Sequence, residues 1–163
     1  MVKILMHGCN GAMGQVISNL ALENEEAKIV AGVDISGESK NDYPVFTSLE
    51  ACDVPVDVII DFSTAKAVDG LLDYVAAKKI PVVLCTTGLS EDQIAKTKEV
   101  SKEVAVLKSA NMSLGVNTVF KLAAMAAQIL ASKGYDMEIV EKHHNRKLDA
   151  PSGTALAIAD AIN

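Results

Sequence analysis

Short apolar runs alternate with longer segments that carry apolar residues at helical spacing, up to about residue 110. The runs are nearly continuous in Val, Ile and Leu, which is typical of strands in a parallel sheet with helices on both faces. They predict five strands, at 2–7, 28–34, 57–61, 81–85 and 103–108, with helices at 11–23, 64–79 and 90–102 between them. The predicted fold class is therefore α/β, a Rossmann-like doubly wound parallel sheet.

The pattern changes near residue 112. An Ala-rich helix is predicted at 115–132, a strand at 136–141 and a last helix from Ser152. We therefore divide the chain into a first domain at 1–112 and, at 113–163, a connecting helix with the beginning of a second α+β domain. One strand and one helix leave an apolar face uncovered, so we expect this segment to be swapped, dimerised or poorly ordered.

Composition narrows the class of protein. Half of the 163 residues are apolar, which excludes a disordered chain, and the net charge of −6 argues against nonspecific nucleic-acid binding. The cysteines, Cys9, Cys52 and Cys85, are odd in number and lack metal-ligand spacing, so we expect free thiols and no metal. With no signal-peptide pattern and no uninterrupted run of about 18 uncharged apolar residues, we expect a cytoplasmic protein without membrane contact.

Glycines follow the first strand at the spacing of a phosphate-binding turn. Gly8, Gly11 and Gly14 form GxxGxxG, with Asn10 where a second glycine usually stands. Asn accepts a positive φ better than most residues, so the turn is expected to persist. Asp34 ends the second strand 20 residues after Gly14, the place of a carboxylate that binds an adenosine ribose diol. The first domain is thus expected to bind a dinucleotide; a turn that serves packing alone is the alternative.

The residues around Asp34 bear on the choice of cofactor. A carboxylate repels a 2′-phosphate, and Ile35 beside it supplies no cation, which favours NADH. Lys40 is near enough in sequence to compensate, so NADPH stays open.

Three further loops follow the carboxyl ends of predicted strands, at 61–64, 86–89 and 109–113. Ligands of open α/β sheets bind at this edge, and the small or hydroxyl residues of these loops would let a nicotinamide and its ribose approach. Ser63 and Ser90 have a simpler alternative as helix caps, which we favour for Ser90.

The segment from Glu141 to Leu156 concentrates cations in an acidic chain. Two histidines, Arg146 and two lysines precede a Pro-Ser-Gly-Thr turn that opens a helix. Cations beside a helix N-terminus suit a substrate with carboxylates, whereas the alternative is a solvated basic surface.

Five motifs occur together in order along the chain: GxxGxMG at 8–14, DFS at 61–63, TTG at 86–88, ANxSxGVN at 110–117 and HHxxKxDAPSGTA at 143–155. With them the chain resembles the 4-hydroxy-tetrahydrodipicolinate reductase (dihydrodipicolinate reductase) family of the diaminopimelate route to lysine. The resemblance implies NAD(P)H-dependent reduction of 4-hydroxy-tetrahydrodipicolinate, a cyclic dicarboxylate, to tetrahydrodipicolinate by hydride transfer and then protonation. It also implies a homotetramer.

The resemblance implies roles by position. His143 matches the catalytic histidine and Lys147 the proton donor. The matching substrate-binding residues are His144, Ser152, Gly153 and Thr154. The matching cofactor-binding residues are Gly8, Cys9, Asn10, Gly11, Ala12, Met13, Asp34, Cys85, Thr86, Thr87, Ser109, Ala110, Asn111 and Met112.

Some features depart from the family pattern. Cys85 replaces a usual glycine, and Ile35 replaces a common basic residue. Members continue well beyond the last helix, so we expect a chain truncated within the substrate domain. A dinucleotide-binding fragment without turnover is therefore the alternative function. A third reading, an aspartate or homoserine dehydrogenase, is disfavoured by the HHxxKxDAPSGTA segment.

Overall fold

A computed structural model describes residues 1–145, 147 and 150–163. They form two compact units, Met1–Ser109 and Ala110–Asn163, and each is considered by itself. The first unit contains strands β1 (Val2–His7), β2 (Ala27–Val33), β3 (Val45–Phe46), β4 (Val58–Asp61), β5 (Val82–Leu84) and β6 (Val106–Lys108), and helices α1 (Ala12–Leu22), α2 (Ala65–Lys78) and α3 (Glu91–Val100).

The sheet has the order β3-β2-β1-β4-β5-β6, and every neighbouring pair is parallel. The strand order reverses between β1 and β4, which is the topological switch point of a doubly wound sheet. The predicted Rossmann-like fold is confirmed. The prediction missed β3, because a strand of two residues leaves no periodicity to detect.

Both faces of the sheet are buried. On one face, Leu5 and Ile59 pack in a cluster with the α2 residues Val68, Leu71 and Leu72, all fully buried. On the other face a second cluster comprises Ile4, Met6, Cys9, Ile29 and Tyr43. Successive residues of β1 therefore enter opposite cores, which explains why its apolar run is continuous rather than alternating.

The second unit is helical among the residues that the structure describes. It contains α4 (Leu114–Leu130), a 3₁₀ turn (Ala131–Lys133) and α5 (Gly153–Ile162), and α4 packs against α5. The predicted strand at 136–141 is wrong, because this segment has no strand assignment and pairs with none of the strands described. An extended apolar segment becomes a strand only when a neighbour completes its hydrogen bonds, and Ile139 and Val140 are exposed instead.

The helical segment Leu114–Lys133 is long and apolar enough to cross a membrane by length and composition, although one such helix is weak evidence. The sequence prediction required an uninterrupted run, which Lys121 breaks, and so did not detect it. Leu122, Met125 and Ile129 of this helix are exposed, so α4 carries apolar side chains on its surface.

Candidate functional site: a dinucleotide cleft and a carboxylate-anchored turn

The glycine turn between β1 and α1 tolerates no side chain at two of its positions. Gly8 has a φ of +80°, and a Cβ on it would lie 2.6 Å from the carbonyl oxygen of Phe62. A Cβ on Gly14 would lie 2.3 Å from the carbonyl oxygen of Gly8. Gly11 is the N-cap of α1 and, having no side chain, offers no side-chain acceptor to the N–H groups of the first turn. This arrangement fits a pyrophosphate.

Asn10 has a different role from the one its position suggested. Among the described non-glycine residues only Lys79 has a positive φ, so Asn10 does not replace a left-handed glycine. Its amide Nδ2 instead donates to Ser36 Oγ and to the carbonyl oxygen of Glu38, both at 2.8 Å. The side chain therefore joins the glycine turn to the loop after β2.

Asp34 lies at the junction of the same two loops. Its carboxylate accepts the backbone N–H of Asn10 at 3.1 Å, and the N–H and hydroxyl of Ser36 at 3.0 and 2.9 Å. Burial alone would raise the pKa of Asp34, but these hydrogen bonds and the charge of Lys40 hold it below its usual value. The group is therefore ionised at neutral pH.

A cleft of about 700 Å³ opens along these loops. Its lining includes His7, Gly8, Asn10, Gly11, Asp34, Ile35, Lys40, Phe62, Ser63 and Thr64. Met13 is half exposed at the start of α1, and Ala12 is exposed beside it. Cys9 differs from the other predicted cofactor residues, because its side chain is fully buried in the core and only its backbone reaches the turn.

A second carboxylate, Asp61, is fully buried at the end of β4. It accepts the hydroxyls of Ser63 and Thr86, each at 2.6 Å, and His7 Nδ1 lies 2.7 Å from its Oδ1. Burial would raise the pKa of Asp61, yet the contacts with His7, Ser63 and Thr86 keep it below its usual value. Asp61 has no role in the sequence prediction, although an acid at the end of an apolar strand is a recognisable feature of the sequence.

The loop after β5 carries the remaining cofactor predictions in the first unit. Cys85 is buried, and burial raises the pKa of its thiol to about 11. Thr86 is also buried against Asp61, whereas Thr87 is exposed. The N–H of Ser109 donates to the carbonyl oxygen of Leu84 at 3.1 Å, which places it beside the end of β5.

Of the two serines with a possible role as helix caps, only one caps a helix. Ser90 caps α3 in a reciprocal capping box with Gln93, so the favoured cap is confirmed. Ser63 does not cap α2, whose N-cap is Thr64, but binds Asp61.

In the second unit, the predicted cofactor residues precede α4. Ala110 and Met112 are exposed, and Asn111 Oδ1 accepts the N–H of Ser113 at 2.8 Å. Asn111 Nδ2 donates to Thr154 Oγ1 at 3.4 Å, so this loop contacts the first turn of α5, which begins at Gly153.

Glu141 anchors the turn that opens α5. Its carboxylate accepts the N–H of Ser152 at 2.8 Å and also the Ser152 hydroxyl, while Ser152 Oγ accepts the N–H of Ala155 and caps the helix. His143 Nδ1 lies 3.6 Å from Glu141 Oε2. The hydrogen bonds from Ser152 hold the pKa of Glu141 below its usual value.

Sequence reasoning missed Glu141 as a site residue. The only signal was an acid at the head of a basic segment. Elsewhere in this segment, the N–H of Lys147 donates to the carbonyl oxygen of His144 at 3.2 Å. Arg146 and Asp149, both part of the predicted basic turn, lie outside the described residues, as does Leu148. Among the described residues, no cluster of three or more His, Cys, Asp or Glu could hold a metal.

Comparison with known proteins agrees with this architecture. Family models described as dihydrodipicolinate reductase, N-terminus and C-terminus, match residues 2–112 and 115–163. The 4-hydroxy-tetrahydrodipicolinate reductase of Caldanaerobacter subterraneus subsp. tengcongensis is 52% identical over 163 residues, covering 100% of this chain and 64% of the relative. That of Clostridium tetani is 45% identical, over 99% of this chain and 63% of its own length.

Solved structures give the same result. The dipicolinate-bound dihydrodipicolinate reductase from Paenisporosarcina sp. TG-14 superposes with a TM-score of 0.77 at 29% identity, covering 99% of this chain and 65% of that one. A dehydrogenase from Chromobacterium violaceum shares the fold, with a TM-score of 0.62 at 19% identity over 77% of this chain and 40% of that one.

The fold and the glycine turn define a Rossmann-like α/β protein with a tight turn between its first strand and first helix. Within that class, the chain belongs to the dihydrodipicolinate reductase family. It spans about 64% of the length of the curated relatives that it matches.

Proposed function

We propose that this chain carries the cofactor and substrate residues of a reductase that converts 4-hydroxy-tetrahydrodipicolinate to tetrahydrodipicolinate in lysine and diaminopimelate biosynthesis. The observation that carries the proposal is the Glu141-anchored turn, which presents Ser152, Gly153 and Thr154 at the start of α5 next to His143. A helix N-terminus beside cationic side chains suits a dicarboxylate. The role fits a cytoplasmic homotetramer that needs neither nucleic acid nor membrane.

The proposed cofactor is a nicotinamide dinucleotide, which supplies a hydride when bound. The N-terminus of α1, where Gly11 supplies no side-chain cap and lines the cleft with Gly8, would accommodate its pyrophosphate through backbone N–H groups. Asp34, ionised on the cleft wall, would accept the adenosine ribose diol and favours NADH. Lys40 lines the same cleft and is the residue available to a 2′-phosphate.

On the substrate side, the proposed roles are those that the family resemblance implies. Lys147 protonates the reduced ring, and His143 acts beside it as the catalytic histidine. His144 and the turn at 152–154 hold the carboxylates. The fixed backbone N–H groups at the head of α5 would orient the substrate with no change in their own charge.

The deciding experiment compares the chain with its Lys147→Ala variant. The wild type is titrated with NADH and NADPH and then assayed with the cyclic substrate; turnover should collapse in the variant while NADH binding survives. Unchanged turnover in the variant would refute the role of Lys147. NADH binding without turnover in the wild type would favour the alternative, a dinucleotide-binding module without catalysis.

A further inference from the structure

The Asp61 cluster lies at the switch point of the sheet. Asp61 and His7 are opposite each other in the last pair of the β1–β4 ladder, where the strand order reverses. Asp61 is fully buried, and its two oxygens receive Ser63 from the same loop and Thr86 from the end of β5. The carboxylate therefore connects the carboxyl ends of three adjacent strands.

The direction of these hydrogen bonds follows from chemistry. An ionised carboxylate can only accept, and a hydroxyl has a single proton. Ser63 donates that proton to Oδ1 of Asp61, and Thr86 donates to Oδ2, both at 2.6 Å. Each hydroxyl oxygen is consequently left with lone pairs alone and can only accept from a further partner.

The location of the cluster indicates which part of a ligand it could meet. Asp34 directly follows β2 on one side of β1, whereas Asp61 ends β4 and Thr86 follows β5 on the other side. A dinucleotide bound with its adenosine ribose at Asp34 crosses the switch point, so its nicotinamide half reaches the β4 and β5 ends. Ser63 and His7 line the cleft on that side.

We infer that Asp61 is a positioning residue that holds the hydroxyl oxygen of Ser63, on the cleft wall, as an acceptor for an N–H or O–H donor on the nicotinamide riboside half of the cofactor, while the buried Thr86 fixes the other oxygen of Asp61. The inference rests on the proposed dinucleotide binding. It distinguishes this end of the cleft from the N-terminus of α1, because lone pairs repel a phosphate whereas free N–H groups attract one.

The test compares Ser63→Ala and Asp61→Asn with Ser101→Ala, which removes an exposed hydroxyl at the end of α3, outside the residues that line the cleft. Ser63→Ala removes one acceptor and leaves Asp61 with His7 and Thr86. In Asp61→Asn the amide accepts through one atom and donates through the other, so one hydroxyl must reverse. Each protein is titrated with NADH and with ADP, which lacks the nicotinamide riboside half.

Both cluster variants should bind NADH about three- to tenfold more weakly, the value of one hydrogen bond, and ADP within about twofold of wild type. Ser101→Ala should bind both ligands as wild type does. Should Asp61→Asn fail to fold, Ser63→Ala carries the test. The 3-acetylpyridine analogue of NADH has no carboxamide N–H. If the variants lose affinity for NADH but not for this analogue, the carboxamide is the donor. If they lose affinity for both equally, the ribose hydroxyls are the donors.

Equal loss of NADH and ADP binding would show a general structural defect and overturn the inference, as would unchanged NADH binding in both variants. A wild-type chain that binds neither ligand would overturn the proposed dinucleotide binding, and this inference with it. The two failures are thus distinguished by whether the wild type binds NADH and ADP.

Discussion

The backbone N–H of Asn10 donates to the carboxylate of Asp34 at 3.1 Å, across 24 residues of sequence. This hydrogen bond fixes the glycine turn against the end of β2. It also places an ionised carboxylate on the wall of the cleft, at the position expected to select the cofactor.

We predict that Asp34→Ala weakens NADH binding about tenfold or more, since hydrogen bonds to a charged group are worth about 1.5–3 kcal/mol. NADPH binding should change less, because the same substitution removes a charge that repels the 2′-phosphate. Fluorescence titration with both cofactors measures the ratio. Ser36→Ala, which removes a donor to Asp34 but keeps the carboxylate, is the control; equal effects of Asp34→Ala on both cofactors contradict the prediction.

Two glycines in helices allow a matched test of packing in the glycine turn. Gly14→Ala should lower the free energy of unfolding by about 3 kcal/mol or more, because the new Cβ would lie 2.3 Å from the carbonyl oxygen of Gly8. A Cβ on Gly70, in α2, would have no heavy atom within 4 Å. Gly70→Ala should therefore raise the free energy of unfolding by about 0.5–1 kcal/mol, because Ala has a higher helix propensity than Gly. Urea unfolding followed by circular dichroism measures the free energy of unfolding of both variants. A similar change in the two would show that the turn shifts to accommodate the added Cβ, and would contradict the prediction.

The sequence predicted the first unit well where local pattern and burial coincide. The bounds of β1 and the helix at 64–79 follow from apolar spacing, because Val68, Leu71, Leu72 and Val75 all enter the core. The predicted strand at 136–141 failed because strand formation depends on a partner that a local pattern does not contain.

The candidate site likewise has some features that the sequence predicts and others that it does not. Sequence order alone places the loops after β4 and β5 at one edge of the sheet, since the carboxyl ends of parallel strands meet there. It does not reveal that Asp61 accepts hydrogen bonds from two hydroxyls, or that Glu141 accepts one from Ser152, 11 residues further along the chain. Such contacts depend on side-chain direction and on backbone folding between distant residues. The roles of His143 and Lys147 remain predictions.

The buried Asp61 should make the stability of the protein dependent on pH in acid. Its folded pKa lies below the ordinary value of 3.8, so the unfolded chain binds more protons between the two values. The contribution is therefore fully present above about pH 4 and is lost as the pH falls through the folded pKa.

Urea unfolding of wild type and Asp61→Asn between about pH 2 and 6 tests this linkage. The stability advantage of the wild type should shrink as the pH falls below about 4, because the variant has no proton to gain at this position. Other carboxylates with lowered pKa, such as Asp34, titrate in both proteins and cancel in the difference. A constant difference across the whole range is the result that contradicts the prediction.

Glu141 should matter for the turn that it anchors. In Glu141→Gln the amide can still accept the N–H of Ser152, but its nitrogen cannot accept the Ser152 hydroxyl. We expect pyridine-2,6-dicarboxylate to bind about three- to tenfold more weakly by calorimetry. Glu138→Gln, an exposed acid of the same segment, is the control. If the two variants bind the ligand equally, the anchor has no effect on the site.

The three thiols should differ in reactivity toward iodoacetamide. Burial raises the pKa of Cys9 and of Cys85 to about 11, so about one thiol in a thousand is ionised at pH 8, and both side chains are shielded from solvent. Cys52 is only half-buried and should be alkylated first in the native protein, with all three reacting in urea. Peptide mass spectrometry over time gives the order, and Cys52→Ala should leave the native protein almost unlabelled. Labelling of Cys85 as fast as Cys52 would show that the loop after β5 opens in solution, and that Thr86 is not held against Asp61 as the structure shows.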